Sequence, residues 1–490
     1  MRGKVGILAA LSMVVAGCVG APQEDLSSAS VVQPLPVDPS SVAHTLAGVA
    51  AVPEAFQSLR VRLALTGYNG AEPTIGVTSD GTIFATSSVP TASAAGRAAT
   101  LHHQLVRSRD HGLTWEPVGD VVVGPKANLD PWMWVDPITN RVYNAPLYVV
   151  CTWASWSDDL GQTWTANPLT GCGPPAHDHQ KLTTGPPPPG VTTMGYPNVV
   201  YYSYNSFRDE GTWISTSLDG GRTWSLGGVA HPSDCHAGVA GPVAVGIDGT
   251  AYSPKPACKG ANVAVSRDGG RSWEVTGRID DYGIQEPLAV NPHIATDSAG
   301  NAYLVYPGLD NLLYVSVSTD AGRTWSKPIR ASPPQVTGTV FSVITAGEPG
   351  RVAIAYLGTD ADTSRWGGNG HPPSPENADE STVWHFYLTM SENALDADPL
   401  FVSQRVTPED DPVQIGCVWQ SGGGNPCRNL LDFIGMTQHE GRPYVVFADG
   451  CDRCTSASES RLRRVTVAIL EDGPGLLGGT LEALVGAVAP

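Results

Sequence analysis

One octapeptide pattern occurs five times in this 490-residue chain and limits its fold more than any other feature. The copies are SRDHGLTW (108–115), SDDLGQTW (157–164), SLDGGRTW (217–224), SRDGGRSW (266–273) and STDAGRTW (318–325). Each reads Ser-x-Asp-x-Gly-x-Thr/Ser-Trp, and the aspartates Asp110, Asp159, Asp219, Asp268 and Asp320 follow at intervals of 49, 60, 49 and 52 residues. A unit repeated at this period cannot bury its apolar face alone, so the copies must pack on one another. Aspartate accepts hydrogen bonds from turn amides, glycine permits positive φ, and Ser or Thr hydroxyls bond locally. The terminal Trp115, Trp164, Trp224, Trp273 and Trp325 are large apolar plugs with one donor each, suited to the seam between sheets. The pattern is that of a braced turn and not of five ligand sites.

Between the copies lies a second recurring element, strand–turn–strand. TIGVTSDGTIFAT (74–86), VAVGIDGTAYS (243–253) and IATDSAGNAYLVY (294–306) carry it, with WVDPITNRVYNAP (134–146) as a looser version. Short polar turns between β-rich runs signal hairpins. An inner hairpin plus the octapeptide hairpin makes four strands, one blade of a propeller. Gly 55 and Pro 41 fit an all-β chain of short strands. The octapeptide resembles the Asp box, or BNR repeat, of sialidases and related β-propellers, where it joins the outer strands of a blade. Five blades carry the box. VFSVITAGEPGRVAIAYLG (340–358) begins a sixth and LLDFIGMTQHEGRPYVVFADG (430–450) a seventh, with SLRVRLALTG (58–67) available to close the ring. Seven four-stranded blades are expected, six being the alternative.

The ends imply export. Arg2 and Lys4 precede an apolar run, Val5 to Ala16, too short to span a bilayer. The run ends in Val15-Ala16-Gly17-Cys18, which resembles the lipobox of prokaryotic lipoproteins and implies cleavage before Cys18 and lipid upon it. The expected layout is a signal at 1–17, a flexible tether at 18–55, one propeller at 56–470 and a tail at 471–490. Eight further cysteines in an oxidising compartment pair most simply as neighbours: Cys151–Cys172, Cys235–Cys258, Cys417–Cys427 and Cys451–Cys454. Connectivity stays open, and a zinc site of the last four thiolates is the alternative. Lys+Arg 29 against Asp+Glu 47 gives a net charge of -18, which excludes nucleic acid as a natural partner. A monomer facing the outside or the periplasm, touching the membrane through lipid alone, is expected.

Propellers take ligands where loops enter the innermost strands. Those entrances carry Glu72-Pro73, Asp130-Pro131, His177-Asp178-His179-Gln180, Pro292-His293 and Arg428 with Asp432. Glu72, Asp130 and Asp432 are the candidate acid/base carboxylates. Trp132, Trp134, His179, His293 and Arg428 are candidate mouth residues for a carbohydrate or protein ligand. His177 and His179, two apart on a strand, would face one way as metal ligands can. Trp366 lies in a Gly-, Pro- and acid-rich insertion (359–381), and Trp419 in the seventh blade region. No cofactor is firmly implied, although a ring of acids suits a divalent cation, calcium being the expectation. The sialidase resemblance implies three arginines on a substrate carboxylate, the first in a Phe/Tyr-Arg-Ile-Pro motif. Here the comparable position reads Ala71-Glu72-Pro73, so the resemblance covers the scaffold and not the catalytic set. The order of expectation is a glycan or surface-ligand binder, then a sialidase-like glycoside hydrolase, then an assembly scaffold.

Overall fold

In the computed structural model, Phe56 and residues 59–484 are described, except 91–100, 120–129, 149–150, 174–176, 207, 210, 233–237, 258–259, 280–291, 368–373 and 419–426. Expectations on the leader, Cys18, the tether, the Cys235–Cys258 pair and Trp419 lie outside the described residues.

The strands form seven antiparallel sheets, six of them running outward from the axis in chain order. Blade 1 has Ala71–Val77, Ile83–Pro90, Leu101–Ser108 and Glu116–Pro117. Blade 2 has Met133–Val135, Val142–Asn144, Thr152–Ser157 and Thr165–Thr170. Blade 3 has His177–Gly185, Val199–Ser206, Thr212–Ser217 and Gly228–His231. Blade 4 has Ala244–Val245, Ala251–Ala257, Gly260–Ser266 and Glu274–Ile279. Blade 5 has His293–Thr296, Ala302–Pro307, Leu313–Ser318 and Ile329–Arg330. Blade 6 has Gly338–Ala346, Val352–Thr359, Val383–Ser391 and Val402–Arg405.

Blade 7 closes the ring. Gly435–His439, Arg442–Asp449 and Arg464–Pro474 come from the end of the chain, and Arg60–Asn69 from its beginning supplies the outermost strand. A ring joined this way leaves no free inner edge at its seam. The seam includes a buried ion pair, Arg62 Nε to Glu471 Oε1 at 2.6 Å. The last long strand continues past 470, Thr480–Leu481 pairs with it, and Leu476 is buried in the core. Residues 471–481 are therefore part of blade 7 and not a separate tail. The all-β, seven-bladed architecture agrees with the repeat count.

Each octapeptide turns between the third and fourth strands of its blade. In blade 4 the Ser266 hydroxyl donates to Asp268 Oδ1 at 2.9 Å and accepts from the Gly270 amide at 2.9 Å. Asp268 in turn accepts from the Ser272 amide at 3.0 Å and its hydroxyl at 2.5 Å. The other four copies repeat this net. The turn also locks onto the preceding blade. Arg141 of blade 2 donates to Gly220 O of blade 3 at 2.8 Å, and Arg267 of blade 4 to Ala321 O of blade 5 at 2.6 Å. Arg62 and Arg107 make the same link at the two seams of blade 1. The box tryptophans are half-buried, and each packs against an inter-blade core. In blade 6 a remnant survives: Ser391 and Asn393 bond one another at 3.3 Å, and Asn393 Oδ1 accepts from the Leu400 amide.

Three of the expected disulfides are present: Cys151–Cys172, Cys417–Cys427 and Cys451–Cys454. The last four cysteines are thus bonded in pairs, which removes the thiolates a zinc site would need. Trp366 is buried, with its ring centroid 5.4 Å from that of Trp384, so it serves the blade 6 core and not a sugar platform.

Candidate functional site

An antiparallel blade puts the entrance to its inner strand on the face opposite the octapeptide turns. Among the described residues, five entrances each carry one residue that is not glycine in left-handed backbone: Glu72 (φ 52), Asp130 (φ 37), His179 (φ 47), Phe341 (φ 58) and Leu431 (φ 59). In blades 1, 3 and 6 this residue opens a bulge, between Ala71 and Thr74, Asp178 and Lys181, and Val340 and Val343. Such a conformation costs about 1–3 kcal/mol and persists where the surroundings fix it. The sequence places Glu72, Asp130, His179, His293 and Asp432 alike in their blades. The structure sharpens that. Glu72, Asp130 and His179 share the left-handed position, Asp432 follows it by one residue, and His293 begins its strand in regular extended form.

Blades 1, 2, 3 and 7 bring their entrances together. His179 Nε2 lies 3.5 Å from Asp432 Oδ2 and 3.9 Å from Asp178 Oδ2. Asp432 is held by both arms of the Arg428 guanidinium, Nη2 reaching Oδ2 at 2.7 Å. One ligand atom each from Asp130, Asp178 and His179 lies within 4.8 Å of the others. Lys181, buried beneath them, donates to His179 O at 2.9 Å, with its Nζ 5.9 Å from the Trp132 ring centroid. Phe433 closes the floor against Trp132 and His179 at 5.9 and 6.1 Å between centroids.

Burial and like charges set the proton affinities. The Glu72 carboxyl is raised well above the ordinary range by burial and by the charges of Asp130 and Asp432. Asp130 is raised to about 6 by burial and by Asp178. Asp178 is raised by burial, with Asp432 adding to it. Burial works against ionisation of Asp432 too, yet Arg428 and His179 hold it below the ordinary range. Burial opposes charge on His179, but Asp178 and Asp432 outweigh it and raise the imidazole. Burial lowers Lys181 to about 8 against the pull of Asp178 and Asp130. His293, lowered to about 3 by burial and by the Lys181 charge, stays neutral at ordinary pH.

The other expected residues are placed differently. Glu72 is 1% exposed and Asp432 4%, so Asp130 and Asp178, both half-buried, are the carboxylates nearer the opening. Trp132 donates to Leu182 O at 2.8 Å and Trp134 to Thr184 Oγ1 at 2.9 Å, which ties both rings to the inner strand of blade 3. His177 and His179 do not act as a pair. The bulge breaks the alternation, and His177 stacks on Tyr204 at 3.6 Å within the blade. Among the described residues at these entrances the arginine is Arg428, and its fork is spent on Asp432. Sequence reasoning passed over Lys181 and Phe433. Each stands two places after a left-handed residue, as Trp132 does, an offset that the backbone shows and the sequence alone does not.

No family model matches the chain, and no curated protein matches it. Among solved structures it is similar to the Hadza microbial sialidase Hz136 at 21% identity, over 59% of this chain and 63% of that one, with a TM-score of 0.40. The chain thus spans less than two thirds of that protein's length. It is similar to the intramolecular trans-sialidase from Ruminococcus gnavus at 12% identity, over 82% and 95% of the two chains, with a TM-score of 0.40. It is also similar to the BP39L lectin from Burkholderia pseudomallei at 12% identity, over 85% and 99%, with a TM-score of 0.48. Likeness at this level assigns neither an activity nor a ligand.

Proposed function

We propose that this protein is a surface-exposed Asp-box propeller, anchored by lipid on Cys18, that binds a neutral glycan at the mouth formed by blades 1, 2, 3 and 7. One observation carries the reading: Asp130, Asp178, His179, Lys181, Arg428 and Asp432 converge there from three separate blade entrances. A concave site with a few convergent polar groups over an aromatic floor suits a polyol, whose hydroxyls both donate and accept. Asp130 and Asp178 present acceptors nearest the opening. The guanidinium is already paired, so an anionic sugar would meet carboxylates and no free arginine. This is the reason for preferring a neutral ligand over a sialoside. The test is a glycan array followed by calorimetry on the full-length protein. Asp178→Asn and Asp130→Asn should weaken binding by ~10-fold or more, as loss of a hydrogen bond to a charged group does. Unchanged binding in both variants would place the ligand elsewhere.

A second reading, a glycoside hydrolase, is favoured by one feature. Asp130 is raised to about 6 while Asp432 is kept ionised, and carboxyls pushed apart in this way suit acid and base roles. Turnover of a glycoside panel that disappears in Asp130→Asn while ligand binding persists would support it. A protein ligand, or an assembly role with no small ligand, is what remains if the array stays silent.

A further inference from the structure

Asp130, Asp178 and His179 differ from their neighbours at the mouth in having unmet bonding capacity. Asp432 is taken up by Arg428, and Lys181 by His179 O. Neither the Asp130 nor the Asp178 carboxylate receives a hydrogen bond from a described residue. The His179 side chain is 9% exposed, its Nδ1 has no partner among the described residues, and its Nε2 approaches Asp432 and Asp178 only to 3.5 and 3.9 Å. A buried imidazole set among carboxylates at more than hydrogen-bond distance leaves room for an ion. We propose that Asp130, Asp178 and His179 form a site for one divalent transition-metal ion, Mn2+ or Zn2+, at the mouth of the ring. The inference names the ion through which the mouth holds its polyol, and in that respect it rests on the glycan-binding reading.

The donor set selects the class of metal. Calcium takes six to eight oxygens, whereas two carboxylates and an imidazole suit a smaller ion that accepts nitrogen, so the calcium expected from the acids alone gives way. Donors roughly 2.0–2.2 Å from a shared ion stand about 3–3.5 Å apart. The three atoms lie within 4.8 Å of one another, so they need to close by no more than about 1.3–1.8 Å on binding. Asp130 and His179, both in left-handed backbone at the entrances of two adjacent blades, bring their ligand atoms close to one another there. Open positions on the ion would be left for ligand hydroxyls or water.

The experiment uses the full-length protein, stripped with chelator and titrated with MnCl2, ZnCl2 and CaCl2 by calorimetry, with bound metal counted after gel filtration. One equivalent of Mn2+ or Zn2+ is expected, with weaker or no uptake of Ca2+. Asp178→Asn and His179→Asn should each weaken uptake by ~10-fold or more, asparagine being tolerated at the left-handed position. Melting of the stripped variants should match the stripped wild type, so that loss of metal is not loss of fold. Stoichiometric uptake that survives both substitutions, or no uptake by the wild type, overturns the site. Metal bound without any glycan binding would sustain this inference and sink the glycan reading. Glycan binding by a wild-type protein that takes up no metal would do the reverse.

Discussion

Gly270→Ala isolates the force that holds one blade against the next. Gly270 sits in the blade 4 octapeptide at φ 83, facing blade 3, where an added Cβ would lie 2.5 Å from Thr216 Cγ2 and 3.3 Å from the Tyr201 ring. Two costs follow. Left-handed backbone penalises alanine by roughly 1–2 kcal/mol. Forcing a methyl into a packed seam adds about 1–3 kcal/mol, because Thr216 is β-branched and Tyr201 is fully buried. The sum is about 2–5 kcal/mol. Gly300→Ala supplies the control, with φ 88 in a blade 5 hairpin and only Ile247 Cγ2 at 3.7 Å, so that the backbone cost of roughly 1–2 kcal/mol stands alone. Urea unfolding of both variants measures the difference. Gly270→Ala should lose at least ~1 kcal/mol more than Gly300→Ala, the lower end of the overpacking range. Equal losses would show that the octapeptide shapes its own turn but does not set the seam.

Three further outcomes are expected. Asp159 and Asp320 are lowered to about 2 by bonds from Thr163 and Thr324, against an ordinary 3.8, so the stability they contribute is complete above pH 4 and is lost as pH falls toward 2. The melting temperature should fall across that window, and less steeply in the Asp159→Asn/Asp320→Asn double variant; identical slopes would refute the linkage. Deleting residues 56–69 removes the outer strand of blade 7 and strands Glu471 without Arg62, so the chain should aggregate or lose β-structure by circular dichroism, with a native melt counting against closure at that seam. Cys18→Ser should release the protein from the membrane fraction or leave it unprocessed; a variant still processed and sedimenting with membrane would refute lipidation there.

The sequence by itself determined the blade. Ser-x-Asp-x-Gly-x-Thr/Ser-Trp bonds within eight residues, so its chemistry is local and its period is visible as text. Blade count and three of the cysteine pairings were legible for the same reason, since neighbours in the chain are neighbours in a sheet. The sequence also marked the inner-strand entrances, because a repeat announces where each strand begins. Which entrance residues meet was decided only by closure of the ring. His179 and Asp432 stand some 250 residues apart in the chain and 3.5 Å apart in space. A bulge turned His177 into the blade wall and His179 toward the mouth, where strict alternation would have put them together. Burial then set the roles: Glu72 lost contact with the opening, Asp432 was claimed by Arg428, and the carboxylates of Asp130 and Asp178 were left without a hydrogen bond from a described residue. Local bonding is written in the order of residues, whereas proximity across a closed ring and the electrostatics of burial exist only once the chain has folded.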